Sequence, residues 1–327
     1  MTILVTGGAG YIGAHVVRLL EQAGTDVIVV DNLSTGQASR IGTAKLVELD
    51  VAADSSVAVL TDVMKDNGVT AVIHFAAQKQ VGESVARPAY YYQQNVNGMA
   101  NVITAMEAAG TRDLVFSSSA ATYGMPPVAV VDEDVTAAPI NPYGETKLVG
   151  EWLGRAAGKA WGMRFAALRY FNVAGAGWDD LGDPAKLNLI TMVLDRVAKG
   201  QDPMVFGDDY DTPDGTCVRD YIHVLDLAKA HIAALDYLQL DERPFDTFNV
   251  GTGIGNSVTE VIDGLSKASG IDIRPVVTDR RPGDPPHLVG SCERINKVLG
   301  WYGTSTFDEI LDSAWRAWQH GPDRIEL

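Results

Sequence analysis

The segment Thr2-Ile3-Leu4-Val5-Thr6-Gly7-Gly8-Ala9-Gly10-Tyr11-Ile12-Gly13 decides the fold. Its first half is a short β-rich apolar run, and its second half is a glycine turn that opens into a helical pattern. Glycines at 7, 10 and 13 fall where a dinucleotide turn needs a tight bend, bare backbone against a pyrophosphate, and close packing of helix on strand. N–H groups at the start of that helix are positioned to hold phosphate oxygens. A glycine-rich turn taken alone is weak, because strand-to-helix turns use glycine for purely local reasons. Asp31 supplies the context. It ends the second predicted strand, about 20 residues further on, where a carboxylate accepts the hydrogen bonds of an adenosine ribose diol and repels a 2′-phosphate. The expected cofactor is therefore NAD rather than NADP.

Outward from this segment, short apolar runs alternate with longer amphipathic stretches to about residue 173, which predicts βαβ units around a parallel sheet. The expected strands run over 2–6, 26–31, 45–49, 71–75, 113–118 and 164–170. Asp50 and Phe75-Ala76-Ala77 then end strands at the carboxyl edge, where open α/β sheets bind ligands, and the two small alanines leave room for a cofactor backbone. After Phe171 the texture changes to loops rich in Gly, Asp and Pro, such as Gly175 to Asp180 and Asp208 to Gly215. A second lobe is expected to begin there. Helices are predicted over 187–199 and 224–238, followed by Phe248-Asn249-Val250 returning a strand to the first sheet. One more helix over 258–269, a short strand near 274–277 and a terminal helix over 307–318 complete the chain. The fold class expected is α/β, a Rossmann-type doubly wound parallel sheet with a smaller, interleaved α/β substrate-binding lobe. The dinucleotide domain is assigned to 1–175 and about 221–250, and the substrate lobe to about 176–220 and 251–327.

Composition narrows the partners. A formal net charge of −16 lacks the basic footprint a general nucleic-acid binder needs, so no nucleic-acid partner is expected. An anionic ligand must instead be met locally by a few arginines, lysines and helix N-termini. No apolar stretch is long enough to span a bilayer. The chain starts directly in a strand pattern without a signal-like segment, so a cytoplasmic location is expected. Cys217 and Cys292 lie far apart with no paired spacing and read as free thiols. His74 and His223 read as packed side chains, and no metal site is expected.

The chemical signal is Asn141-Pro142-Tyr143-Gly144-Glu145-Thr146-Lys147, in which Asn141 suits a helix cap and Pro142 the first helical position. Tyr143 and Lys147, four residues apart, share one helical face. A free tyrosine titrates near ~10, so a neighbouring ammonium is the expected means of favouring the phenolate. Tyr-x-x-x-Lys arises often by chance as a surface pair, but here it follows Ser117-Ser118-Ser119, which closes the fifth strand at the same sheet edge. A serine hydroxyl there can bond a substrate oxygen during proton transfer.

Together the glycine loop, Asp31, His74-Phe75-Ala76-Ala77, Asn95-Val96-Asn97-Gly98, the serine triplet, Tyr143-x-x-x-Lys147 and Arg169-Tyr170-Phe171-Asn172 resemble the extended short-chain dehydrogenase/reductases over about the first half of the chain. Three further segments are similar to the UDP-galactose 4-epimerase branch of that family. They are Lys79 to Val85, Phe206 to Tyr210 with Asp214-Gly215-Thr216, and Val218 to Val224. The resemblance implies NAD-dependent interconversion of UDP-glucose and UDP-galactose, through oxidation at C4, rotation of a 4-keto sugar and re-reduction. Ser119, Tyr143 and Lys147 are the implied catalytic residues. The implied NAD-binding set is Gly7, Gly10, Tyr11, Ile12, Gly13, Asp31, Asn32, Asp50, Val51, Phe75, Ala76, Ala77, Lys79, Asn95, Ser117, Tyr143, Lys147 and Tyr170. The implied UDP-sugar set is Lys79, Ser119, Tyr143, Asn172, Asn188, Leu189, Phe206, Arg219, Arg281 and Asp284. Arg219 and Arg281 suit a diphosphate inside an otherwise acidic protein. Leu288 falls where the family gates sugar size. A homodimer is implied through the helices near 92–109 and 143–157.

Departures from the family pattern are Ala176-Gly177-Trp178, which lacks a histidine, and Thr191 in place of a proline. A 4,6-dehydratase needs acid and base carboxylates beside the serine, whereas Ser119 is followed by Ala120 and Ala121. The alternatives that stay open are a 4-epimerase for UDP-glucuronate, a UDP-pentose or a UDP-N-acetylhexosamine, and a non-catalytic NAD-binding protein.

Overall fold

A computed structural model describes residues 1–240, 245–281, 283–322 and 324–325. Its strands are β1 (Thr2–Thr6), β2 (Asp26–Asp31), β3 (Lys45–Glu48), β4 (Val69–His74), β5 (Asp113–Ser119), β6 (Val130–Val131), β7 (Arg164–Tyr170), β8 (Asn172–Ala174), β9 (Met204–Phe206), β10 (Val218–His223), β11 (Phe245–Val250), β12 (Gly255–Ser257), β13 (Val276–Thr278) and β14 (His287–Gly290). Seven of them form one parallel sheet in the order β11-β7-β5-β4-β1-β2-β3. From β1 the chain winds outward to β2 and β3, then returns to place β4 on the other side of β1. The switch point between β1 and β4 is where such sheets open a crevice, and the glycine turn leaves β1 at that point.

Alternation along β1 shows why helices cover both faces. Ile3 and Val5 pack into a core with Val16, Val17 and Leu20 of the Tyr11–Gln22 helix and Leu227, Ala228 and Leu235 of the Val224–Gln239 helix. Leu4 points the other way, into a core with Leu60, Met64, Met99, Met106 and Ala157 from the Ser56–Asp66, Gly98–Ala109 and Pro142–Trp161 helices.

Only Phe171 separates β7 from β8, so the chain passes at once from the main sheet into a second one. There β12-β10-β14-β6 run side by side and β8 also pairs β10. The Val224–Gln239 helix then returns to the first core and β11 joins the edge of the main sheet beside β7. The interleaving and the returning strand expected at Phe248 to Val250 are thus observed. A third core forms from Ile190 and Leu194, Val261 and Leu265, and Ile310 and Leu311. β4 ends at His74, so Phe75 starts the loop, although its N–H still reaches the Thr6 carbonyl at 2.9 Å. Among the described residues, no helix is long and apolar enough to cross a membrane.

Candidate active site

At the switch point the glycines do what a side chain would prevent. Gly7 has φ of +69°, and a Cβ there would lie 2.7 Å from the Ala76 nitrogen; one at Gly13 would lie 2.3 Å from the Gly7 carbonyl oxygen. The turn is therefore pressed against the start of the β4 loop with bare backbone facing the crevice. The result is a cleft of about 560 Å³. Around it stand Gly7, Gly10, Tyr11, Ile12 and Gly13, then Asp31 and Asn32 after β2, Asp50 and Val51 after β3, and Phe75, Ala76, Ala77 and Lys79 after β4. Ser117, Tyr143, Lys147 and Tyr170 close its far end.

Asp31 is buried, and its two carboxylate oxygens accept the Ala9 N–H at 3.0 Å and the Leu33 N–H at 2.8 Å. These bonds tie the glycine turn to the end of β2 and hold Leu33 in the left-handed region at φ of 54°. Each oxygen keeps a lone pair for a ribose diol. A cradle that a Cβ would fill, a carboxylate with spare acceptors and Lys79 on the rim together fit NAD.

Asn95 stands apart from this set, behind the cleft wall. Its carbonyl accepts the Gln78 N–H at 2.7 Å, and its amide donates to the Gln78 carbonyl and the Thr146 hydroxyl, both at 3.0 Å. It braces the β4 loop against the Tyr143 helix. Cleft residues that sequence reasoning missed are Ser34, Thr35, Gln37, Leu49, Gln78, Gln80, Gln94 and the stretch Pro184 to Leu187. Position after strand ends signals the first of these; nothing local signals the last.

The Pro142–Trp161 helix is capped by Asn141, whose side chain accepts the Gly144 N–H at 2.9 Å. A Cβ at Gly144 would lie 2.5 Å from the Ala121 carbonyl oxygen, so the helix start seats directly on the turn after β5. This contact brings Tyr143 beside Ser119, close enough for the serine to act on its hydroxyl. Lys147 is buried and donates to the Ser117 carbonyl at 2.7 Å; its Nζ lies 5.9 Å from the Tyr143 ring centroid. Ser117 also shares a short hydrogen bond with the Tyr170 hydroxyl.

The electrostatics differ from the expectation of an ammonium holding a phenolate. Burial pushes the Tyr143 hydroxyl above the usual tyrosine value, and the Ser119 bond opposes this only in part. Burial also pulls Lys147 down to about 7, and its proton is committed to a neutral carbonyl. His74, bonded to the Thr6 hydroxyl at 2.7 Å, is pushed down to about 3 by burial and then by the Lys147 charge, so it sits neutral beneath the site. One turn beyond Lys147, Glu151 accepts from Ser118 at 2.5 Å and pairs with Arg169 at 2.6 Å, locking the catalytic helix to β5 and β7.

Of the remaining sugar-nucleotide candidates, Asn172 and Arg219 sit on the second sheet, Phe206 on the separate β9–β13 pair, and the others in loops and at a helix start. Arg219 of β10 pairs in register with Leu288 of β14, its guanidinium donates to the Pro285 carbonyl at 2.7 Å, and Asp284 stands 3.6 Å away. Arg281 stacks 3.7 Å over the Phe206 ring at the end of β9. Asn172 donates to the Asp220 carbonyl at 3.3 Å. Asn188 caps the Leu189–Ala198 helix by accepting the Thr191 N–H at 3.0 Å and donates to Asp183 at 2.8 Å, so both ends of its amide are engaged in the protein, with Leu189 next along.

A glycine-turn cleft that ends on a Ser–Tyr–Lys group defines a nucleotide-dependent enzyme acting on a hydroxyl carbon. Residues 3–251 match the NAD dependent epimerase/dehydratase family, and the chain belongs to it. It is 42% identical over 332 residues to the UDP-glucose 4-epimerase of Lactobacillus helveticus, covering 100% of this chain and 99% of that one. The crystal structure of UDP-glucose 4-epimerase from Brucella ovis in complex with NAD superposes with a TM-score of 0.92 at 40% identity, covering 96% and 97% of the two chains. The Bifidobacterium longum UDP-glucose 4-epimerase in complex with NAD+ and UDP gives 0.90 at 37% identity, covering 99% of each.

Proposed function

We propose that this protein interconverts UDP-glucose and UDP-galactose by oxidising C4, letting the 4-keto sugar turn over, and reducing it on the other face. The observation that carries this reading is Tyr143 beside Ser119, with Lys147 behind it, at the carboxyl edge of the sheet that holds the glycine turn. Full-length similarity to UDP-glucose 4-epimerases supports the substrate.

NAD held by the glycine turn, Asp31 and Lys79 would supply an acceptor for the C4 hydride. The chain's own part is proton handling and restraint. Tyr143 removes the proton of the sugar 4-hydroxyl and later returns it. Ser119 bonds the same oxygen and keeps the tyrosine aimed, while Lys147, fixed on the Ser117 carbonyl, holds the ring's helix in place. Arg219 and Arg281 meet the diphosphate, with Asn172, Phe206 and Asp284 shaping the nucleotide side. Such a division grips the nucleotide firmly and leaves the hexose free to rotate.

A homodimer through the catalytic helix and its neighbour is part of the reading, supported by exposed Trp152 (59%), Val85 (63%) and Tyr92 (39%) on adjacent helices. Free Cys217 and Cys292 are consistent with a reducing cytoplasm. The test is incubation of purified protein with UDP-galactose and no added NAD, followed by chromatography. UDP-glucose as product is expected. No conversion even with NAD added overturns the substrate assignment.

A further inference from the structure

The stretch from Gly175 to Asn188, between β8 and the Leu189–Ala198 helix, crosses from the second lobe over the cofactor cleft. Pro184, Ala185, Lys186 and Leu187 form part of the cleft wall. The other side of the same stretch bounds a second cavity of about 310 Å³, whose opposite wall is Ala314, Ala317 and Trp318 of the Phe307–His320 helix. A wall with empty space behind it has somewhere to go.

It is pinned from the dinucleotide lobe at four points. Tyr11, His15 and Arg18, on one face of the first helix, hold the Gly175 carbonyl, the Gly177 N–H (3.0 Å) and the Asp180 carboxylate (2.6 and 2.8 Å). The fourth is Arg40, whose Nη2 donates to the Leu181 carbonyl at 3.0 Å and the Gly182 carbonyl at 2.9 Å. The Arg18–Asp180 pair is solvated, its carboxylate 65% exposed, so it contributes little. Arg40 is 7% exposed, and its Nε has no partner. A buried guanidinium whose hydrogen bonds go to carbonyls, with the Asp183 and Asp180 charges nearby, is costly unless the contact it makes matters. Arg40 is also the pin nearest the moving part, beside Asp183 and Pro184.

We propose that residues 182–188 act as a strap that swings into the second cavity to admit or release NAD, and that Arg40 is the positioning residue that keeps it shut. This rests on the cofactor assignment and not on the epimerase chemistry. It gives an enzyme that regenerates its cofactor a structural means of keeping it through many turnovers.

The experiment follows NAD loss from the purified holoenzyme by timed gel filtration and enzymatic assay of retained NAD, with the melting temperature of the cofactor-free protein as control. Arg40→Met is expected to speed release about 10- to 100-fold, the loss of charge-assisted bonds, with the cofactor-free melting temperature close to that of the unmodified protein. Ala314→Leu, which fills the space behind the strap, is expected to slow release. Unchanged release in Arg40→Met overturns the proposal, as does faster release accompanied by a matching fall in cofactor-free stability. Release from Ala314→Leu at the unmodified rate removes the swing into the second cavity. Protein that carries no NAD at all overturns the cofactor reading instead, and protein that keeps NAD but converts no UDP-galactose leaves the strap standing.

Discussion

The turn after β1 and the β10–β14 pair inside the second sheet, both proposed here to meet an anionic nucleotide, are built in opposite ways. At the turn, recognition comes from what is left out: hydrogens at Gly7 and Gly13 allow backbone to approach within a distance no side chain permits. In the second lobe the proposed recognition comes from what is put in, a guanidinium at Arg219 on β10 and another at Arg281 over the Phe206 ring, from segments more than 60 residues apart in the sequence. A backbone cradle is local and tolerates little substitution. A cluster of side chains is assembled by the fold, and each member can be removed singly at a measurable cost.

Three substitutions test this contrast. The largest effect belongs at the junction of the two regions, where Tyr143→Phe is expected to lower kcat about 10²- to 10⁴-fold, the usual contribution of a positioned acid–base group, while the NAD content of the purified protein stays as it was. Activity near the unmodified level would remove Tyr143 from proton transfer. Next comes Arg219→Met, expected to raise KM for UDP-galactose about 10- to 100-fold with a smaller change in kcat, as befits loss of a charged hydrogen bond made in ground and transition states alike. A fall in kcat with KM unchanged would place Arg219 in the chemistry rather than in nucleotide binding.

The smallest effect is on stability. Burial holds Lys147 at about 7 in the folded protein, against an ordinary lysine value of 10.5. Between those limits the unfolded chain binds the extra proton, so the cofactor-free protein gains stability as pH rises, by at most about 1.4 kcal/mol per unit. Lys147→Met should flatten that slope in denaturant titrations from pH 7 to 10. A slope that persists would mean that Lys147 is charged and satisfied in place.

Much of the first lobe was legible. The succession of apolar runs located six of the seven main-sheet strands to within two residues at each end, because a strand buried on both faces reads as a short continuous apolar run. Tyr143 and Lys147 could be put on one face because helical spacing is local geometry. What Lys147 does there was not legible: its proton goes to the Ser117 carbonyl from another element, and the phenol is pushed up by surroundings the spacing says nothing about. Asn95 reads as a cofactor residue in the chain and is a brace in the fold, since Gln78 and Thr146 are brought to it only by packing. The pairing of Arg219 with Leu288, and the crossing of Pro184 to Leu187 over the cleft, have no trace in either segment taken alone.

By itself, then, the sequence determined the parallel sheet, the glycine turn with its carboxylate partner, and the placing of Tyr143 and Lys147 on one helical face, all of which depend on spacing along the chain. Tertiary structure alone decided the charge state of the site, the brace behind it, the pairing of Arg219 with Leu288 and the strap over the cleft. These depend on desolvation and on contacts between distant segments, and neither is a property of local sequence.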